Sequence, residues 1–332
     1  MDFGRLAGLA GGHAEARAIQ VALKLGLFEA LTRDDHDAAA LAAAIGGEPR
    51  ATMILANALV ALAVLSKSSG RFGLTETSRR YLVQASPEFF GGMILFDAEL
   101  WDAWGRLEDS IRSGQPARAA DMYQSRSDET ARFIGAMDSL VRSRGDARWT
   151  AAHLDLSSAR TIVDLGGGPG TYLVEFLRRW PNVRGAIYDL KATLAVAREL
   201  LAAREPWVIP RLELRELDYR AGALPGPVDA IFMSNIIHSE DEATNAELAA
   251  KCFRALAHGG RVIIKDHIMD AELVEPTAGA VFALYLLLTT RGRDYSFAEV
   301  ADWLRAAGFV EITLEALPNP PFTSSLVTAR KP

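Results

Sequence analysis

Thr161–Leu190 reads TIVDLGGGPGTYLVEFLRRWPNVRGAIYDL, and this stretch decides the fold. Thr161–Leu165 is short, apolar and β-branched, as a buried strand requires, and it carries Asp164. Gly166-Gly167-Gly168-Pro169-Gly170 follows, a loop whose glycines let the backbone turn sharply and approach a ligand closely. Thr171–Trp180 has helical apolar spacing through Tyr172, Phe176 and Trp180, with Val174 and Leu177 beside them. Ala186–Leu190 is the next strand and carries Asp189 near its end. Strand, glycine loop, helix, strand is one unit of an open parallel sheet. Such sheets bind ligands beyond the carboxyl ends of their strands, where both the loop and Asp189 would lie.

A carboxylate at the end of the second strand suits a ribose diol and points to a nucleoside-containing cofactor, either a dinucleotide or S-adenosylmethionine. The glycine spacing separates the two. A dinucleotide site needs G-x-G-x-x-G; Gly166 and Gly168 fit, but the third position is Thr171. The pattern is D-x-G-x-G-x-G through Asp164, Gly166, Gly168 and Gly170, which resembles motif I of the S-adenosylmethionine-dependent methyltransferases. S-adenosylmethionine is therefore the expected cofactor.

A chain of 332 residues is long for one domain and suits two. A net charge of −6 gives no basic excess for a nucleic-acid surface. The single cysteine, Cys252, excludes an internal disulfide and fits a reducing compartment. The N-terminus lacks a basic start followed by an apolar core, and the uncharged runs Ala51–Ser66 and Pro276–Thr290 are too short to span a bilayer. The expectation is a cytoplasmic protein with no membrane partner.

From the N-terminus, Met1–Thr32 is expected to be helical, with an apolar stripe of Ala18, Val21, Ala22, Leu25 and Phe28 broken at Gly26. Asp37–Ile45, Gly46-Gly47 and Pro49–Leu65 read as helix, turn, helix, with Pro49 suited to a first helical turn. A short hairpin is expected over Val64–Thr75 with Ser68-Ser69-Gly70 at its tip, and Thr75 caps the next helix. Together these make a winged-helix pattern. Its second helix begins Glu48-Pro49-Arg50-Ala51-Thr52-Met53 and is then almost wholly apolar, whereas a groove-reading helix presents polar and basic side chains. The reading is a dimerisation domain over residues 1–105. Phe89–Trp104 is aromatic-rich, Gly105–Gly114 helical, Gln115–Arg126 a loop and Asp128–Arg144 a helix bearing Phe133 and Met137. Residues 106–153 are read as a helical linker that contributes to a substrate pocket.

From Leu154 the chain alternates strand and helix. Strands are expected at Arg211–Leu217, Val228–Asn235 and Arg261–Met269, and helices at Ala243–Ala257, Thr277–Thr290 and Ser296–Ala307, the last opened by a Ser296/Glu299 capping box. Val310–Ala316 and Ser324–Ala329 read as a closing hairpin. The fold class is α/β: a doubly wound, mostly parallel sheet with a C-terminal antiparallel hairpin over 154–332, preceded by a mainly helical winged-helix domain.

Taken together, AIQVALKLGLFEAL (Ala18–Leu31), RFGLTETSRRYL (Arg71–Leu82), DLGGGPG (Asp164–Gly170), SNIIH (Ser234–His238), ALAHGGRVIIKD (Ala255–Asp266) and WLRAAGF (Trp303–Phe309) are similar in order and spacing to the bacterial relatives of the plant caffeate-type O-methyltransferases. That resemblance implies a homodimer, a Rossmann-like catalytic domain and specific roles. Asp164, Gly166 and Gly168 would belong to the cofactor site, with Gly166 and Gly168 near the methionine part. Asp189 would hold the ribose hydroxyls, Asp218 the adenine amino group, and Tyr219 would pack on the adenine face. Ser234 stands where the family has a cofactor-side lysine. His238 would be the general base, with Asp266 and Asp294 at the positions of the two carboxylates that orient it. Phe133, Met137, Phe282 and Leu286 would wall the substrate pocket. The plant enzymes continue His-Asp-Trp where this chain has His238-Ser239-Glu240.

The chemistry supports a base independently of the resemblance. A phenol is poorly ionised at neutral pH, so a base within hydrogen-bond reach speeds transfer to its oxygen by about 10²–10⁴-fold. His238 follows a strand at its carboxyl end and precedes a helix start, where imidazolium is disfavoured. His267, next to Asp266 along a strand, is expected on the opposite face. No metal-ligand spacing stands out and the chemistry requires none. The leading function is S-adenosylmethionine-dependent O-methylation of a small aromatic or polyketide-like hydroxyl compound. The alternatives are methylation at an enolisable or aromatic carbon, or a non-methylating enzyme that binds the same cofactor.

Overall fold

The computed structural model describes residues 1–118, 126–317 and 324–332, so most of the loop expected at Gln115–Arg126 lies outside the described residues. The chain forms two compact units, Met1–Trp101 with Arg142–Arg144, and Asp102–Val141 with Gly145–Pro332.

In the first unit, α1 (Phe3–Lys24) and α2 (Leu27–Ala30) meet at Gly26, which adopts a left-handed conformation with φ 70°. That turn corrects the expected stripe: Ala22 and Phe28 are buried as expected, but Leu25 is exposed and Leu27 takes its place inside. α3 (Ala38–Ile45) and α4 (Pro49–Ala61) follow, capped by Asp37 and Glu48. β1 (Leu65–Ser68) and β2 (Arg71–Leu74) form the antiparallel wing, and α5 (Glu76–Tyr81) starts at the Thr75 cap. Leu27, Phe28, Leu41, Ala56, Leu59 and Phe72 make the core of this unit. α6 (Gly91–Glu99) is the last helix wholly within this unit, and α7 (Trp101–Trp104) starts at its final residue and runs into the second.

The second unit opens with α8 (Leu107–Ser113), α9 (Ser127–Arg144) and α10 (Asp146–Ala152). Its sheet contains β3 (Thr161–Leu165), β4 (Arg184–Asp189), β5 (Leu212–Glu216), β6 (Val228–Ser234), β7 (Leu256–Asp266), β10 (Val310–Leu317) and β11 (Ser324–Arg330), in the order β10-β11-β7-β6-β3-β4-β5. The five strands from β7 to β5 are parallel, and β11 is antiparallel to both β7 and β10. The order runs outward from β3 in both directions, so the crevice beyond β3 and β6 is the switch point where such sheets bind ligands. α11 (Thr171–Arg179), α12 (Lys191–Arg204) and α13 (Glu242–Ala255) cross between strands.

β7 departs furthest from its expected bounds. β7 begins at Leu256, directly after α13, and leaves the sheet at Asp266. Ile268–Met269 (β8) pairs instead with Tyr295–Ser296 (β9), parallel and apart from the main sheet. α14 (Thr277–Thr289) lies between them in sequence, and α15 (Phe297–Ala307) starts at Ser296 with the expected capping box to Glu299. No helix among the described residues is long and apolar enough to cross a membrane.

Candidate active site

The glycine loop is built as its composition requires. Gly166, Gly168 and Gly170 have φ of 66°, 53° and 78°, conformations that side-chain-bearing residues rarely adopt. A Cβ on Gly166 would come within 2.3 Å of Ile236 Cδ1, and one on Gly170 within 2.6 Å of Ile187 Cδ1. Gly168 N–H donates to Asp189 Oδ2 at 2.9 Å, while Leu190 N–H donates to Asp189 Oδ1 at 2.7 Å. Asp189 thus sits at the end of β4 against the loop, and burial pushes its carboxyl above the usual range despite these donors. Asp164 lies beneath the loop, 1% exposed, and neither of its carboxylate oxygens has a hydrogen-bond partner. Burial, followed by the charge of Asp189, pushes it up to about 8.

β5 delivers Asp218 and Tyr219 to the same edge. Asp218 Oδ1 accepts from Arg220 N–H at 2.9 Å and Nε at 3.2 Å; burial would raise this carboxyl, but Arg220 keeps it below the usual range. Tyr219 O–H donates to Glu240 Oε1 at 2.7 Å, and Lys251 Nζ donates to the Tyr219 and Arg220 carbonyls. Ser234 ends β6, where its Oγ accepts from Asn235 Nδ2 at 3.3 Å.

His238 lies in a tight 3-10 turn, Ile237–Ser239, just beyond β6. Two side chains and a glycine fix that turn. Asn245 Nδ2 donates to the Ile237 carbonyl at 2.8 Å and the Glu240 carbonyl at 3.3 Å, and Tyr295 O–H donates to the Glu240 carbonyl at 2.6 Å. Gly292 packs so closely that a Cβ there would meet the His238 carbonyl oxygen at 2.2 Å. His238 Nδ1 and Asp266 Oδ1 share a hydrogen bond of 2.6 Å. Parallel pairing of β8 with β9 brings Asp294 to the same place, and one donor atom each from His238, Asp266 and Asp294 lies within 4.8 Å of the others. All three residues are buried.

These groups do not titrate alike. Burial pulls His238 down, but the charge and hydrogen bond of Asp266 outweigh it, and its pKa is raised. Burial raises Asp266, yet His238 holds it below the usual carboxylate range. Asp294 makes no hydrogen bond through either oxygen, and burial pushes it up to about 7. The three could also surround a cation, but the short His238–Asp266 contact is a hydrogen bond with a proton between the two atoms.

His267 overturns its expected placement. Its ring stacks on Phe282 with centroids 4.9 Å apart, and its backbone N–H donates to Asp266 Oδ1 at 2.8 Å. Strand alternation predicted the opposite face, but the strand ends at Asp266 and alternation ends with it. Phe282 also meets the His238 ring edge-on at 5.3 Å, whereas Leu286, one turn along α14, is fully enclosed. On α9, Ile134 Cδ1 would lie 3.8 Å from a Cβ on Gly168, and Asp138 Oδ1 accepts from Thr171 Oγ1 at 2.7 Å. Phe133 and Met137 ride on this helix. Sequence reasoning missed Asn245, Tyr295 and Gly292, whose roles arise only from long-range packing.

The switch-point glycine cradle, the orphaned Asp164 carboxyl and the ribose-type carboxylate at Asp189 fit S-adenosylmethionine, and a hydrogen-bonded His–Asp pair beside them defines a methyltransferase-type site. The chain belongs to the O-methyltransferase family: residues 104–310 match its O-methyltransferase domain and residues 7–84 its O-methyltransferase dimerisation domain. It is 34% identical over 318 residues to the 3-hydroxy-5-methyl-1-naphthoate 3-O-methyltransferase of Streptomyces sahachiroi, spanning 95% of this chain and 92% of that one. It is 28% identical to the tetracenomycin polyketide synthesis 8-O-methyl transferase TcmO of Streptomyces glaucescens, over 96% and 93% of the two chains. The solved structure of PigF with SAH (S-adenosylhomocysteine) superposes at a TM-score of 0.89, with 25% identity and full coverage of both chains. The protein is an S-adenosylmethionine-dependent O-methyltransferase.

Proposed function

We propose that this chain methylates a hydroxyl of a small aromatic or polyketide-like compound, with His238 as the general base. The observation that carries this reading is the 2.6 Å hydrogen bond from His238 Nδ1 to Asp266, on a turn whose Ile236 packs against Gly166 of the cofactor loop. Asp266 holds the imidazole with Nδ1 protonated, which leaves Nε2 to take the acceptor's proton. S-adenosylmethionine supplies an electrophilic methyl group. Gly166 and Gly168 approach its methionine part, Asp164 lies under the loop, and Asp189 receives the ribose hydroxyls. Asp218, Tyr219 and Ser234 line the adenine side. Phe133 and Met137 on α9, with Phe282 on α14, wall the acceptor site, while the enclosed Leu286 does not line it. The names of the Streptomyces relatives, which act on a hydroxynaphthoate and a polyketide, support the acceptor class.

Residues 1–105 act as a dimerisation domain, 106–153 as the helical segment over the acceptor, and 154–332 as the catalytic domain. The active form is a homodimer in the cytoplasm. The match to a dimerisation domain supports the dimer, as does the run of exposed apolar side chains Phe3, Leu6 and Leu9 on α1. Incubation with S-adenosylmethionine and a panel of phenols and naphthols tests the reaction. Mass spectrometry should find S-adenosylhomocysteine and an aryl methyl ether. A methylated product that keeps every free hydroxyl would place transfer at carbon instead.

A further inference from the structure

The base is flanked by two acids that stand in different balance. Asp266 and His238 satisfy one another through Nδ1 and Oδ1, so a proton arriving on the imidazole is matched by the Asp266 charge. Asp294 has no such match. It is 4% exposed, its two oxygens lack hydrogen-bond partners, and it lies with His238 and Asp266 in one cluster. The charged groups that act on Asp294 among the described residues are His238 and Asp266. His267 stacks on Phe282 with its ring centroid 6.4 Å from that of His238, and it acts on Asp266. Two cations adjacent in sequence are committed elsewhere. Lys265 extends from the other face of β7, donating to Ser324 Oγ at 2.9 Å and standing 3.5 Å from Asp146 Oδ2. Arg293 binds Glu242 and Glu299.

We propose that Asp294 makes the site select an acceptor that is uncharged beside the reacting hydroxyl, a neutral phenol as opposed to an ortho-hydroxy arenecarboxylate. This rests on the O-methylation reading above and goes beyond it in fixing the acceptor's charge. With the hydroxyl on His238, an ortho carboxylate is brought up to the cluster in which donor atoms of His238, Asp266 and Asp294 lie within 4.8 Å of one another. Two like charges about 5 Å apart in a partly desolvated site repel strongly enough to cost about tenfold or more in specificity. Asp266 contributes less, because its charge is spent on His238.

The test uses the full-length enzyme with saturating S-adenosylmethionine and a matched pair of probes, an ortho-hydroxynaphthoate and its methyl ester. The two differ in hydroxyl acidity, so the readout is the ester-to-acid ratio of kcat/KM in a variant relative to wild type, where that difference cancels. Wild type should prefer the ester. Asp294→Asn and Asp294→Ser should each reduce the ratio by about tenfold, and Asp294→Glu, which keeps the charge, should preserve it. The wild-type ratio should also grow from about pH 6 to about pH 8, as the Asp294 carboxyl ionises, and stay level in Asp294→Asn. The wild-type arm requires no variant to fold. A ratio that neither substitution nor pH alters overturns the inference and leaves O-methylation standing, as does a wild-type preference for the acid. Failure of wild type to methylate either probe or any phenol, with the cofactor bound, overturns both.

Discussion

At the residue scale, the site sets one ionised carboxylate and one carboxyl near neutrality around a single imidazole. His238 must be neutral to accept a proton, and its pKa is raised by Asp266. The rate should therefore climb with pH through a midpoint above the ordinary 6.5. Asp266→Asn removes the carboxylate that favours imidazolium, so the midpoint should move to lower pH while the plateau rate falls. A pH profile of kcat/KM checks both shifts; an unmoved midpoint would mean that Asp266 does not set the base.

Asp164 gives a second test, on stability. Its pKa is about 8 folded against 3.8 for the free side chain. Between those values the folded state holds a proton that the unfolded chain has released, so stability falls as pH rises across that window. Asp164→Asn removes this slope. Near about pH 8 the cofactor-free variant should be more stable than wild type by about 1–3 kcal/mol, with the gap closing towards about pH 5. Thermal melts at the two pH values decide it, and parallel curves would contradict it.

Much of this chemistry is written locally. Asp164, Asp189 and His238 announce themselves because each stands at a strand end next to glycine or a helix start. His267 does not, because its face depends on where a strand stops. Asn245, Tyr295 and Gly292 reach the His238 turn only through tertiary folding.

At the element scale, the cofactor loop is held from both sides. Gly166→Ala would put a side chain into a left-handed backbone and against Ile236. The expected cost is about 1–3 kcal/mol of stability, with at least about tenfold weaker S-adenosylmethionine binding by calorimetry. On the other side, α9 is fastened by Asp138, which accepts from Thr171 at the first turn of α11 and pairs with Arg204 of α12. The glycine loop, the wing and the Ser296 capping box were legible because turn and cap chemistry is local. The start of β7 was not: the strand was expected from Arg261, yet Gly259 and Gly260 lie within it, next to a register irregularity between Val228 and Ala230 of β6.

At the scale of the whole molecule, the repeated strand–helix alternation made the parallel sheet and its antiparallel close readable in advance. The order of strands was not in the alternation itself; it follows from β3 lying between β4 and β6, which leaves the crevice where the glycine loop and the His238 turn meet. The proposed dimer belongs here too. Light scattering should return 72 kDa, twice the chain mass of 36.0 kDa, and Leu6→Glu with Leu9→Glu should shift the population towards the monomer. A wild-type mass of 36.0 kDa would refute the dimer.

The most direct measurement compares wild type with His238→Gln in single-turnover methyl-ether formation, with S-adenosylmethionine affinity determined on the same preparations. The variant's rate should be lower by about 10²–10⁴-fold, with cofactor affinity unchanged within about twofold. A variant that forms the ether as fast as wild type would contradict the central claim that His238 takes the acceptor's proton.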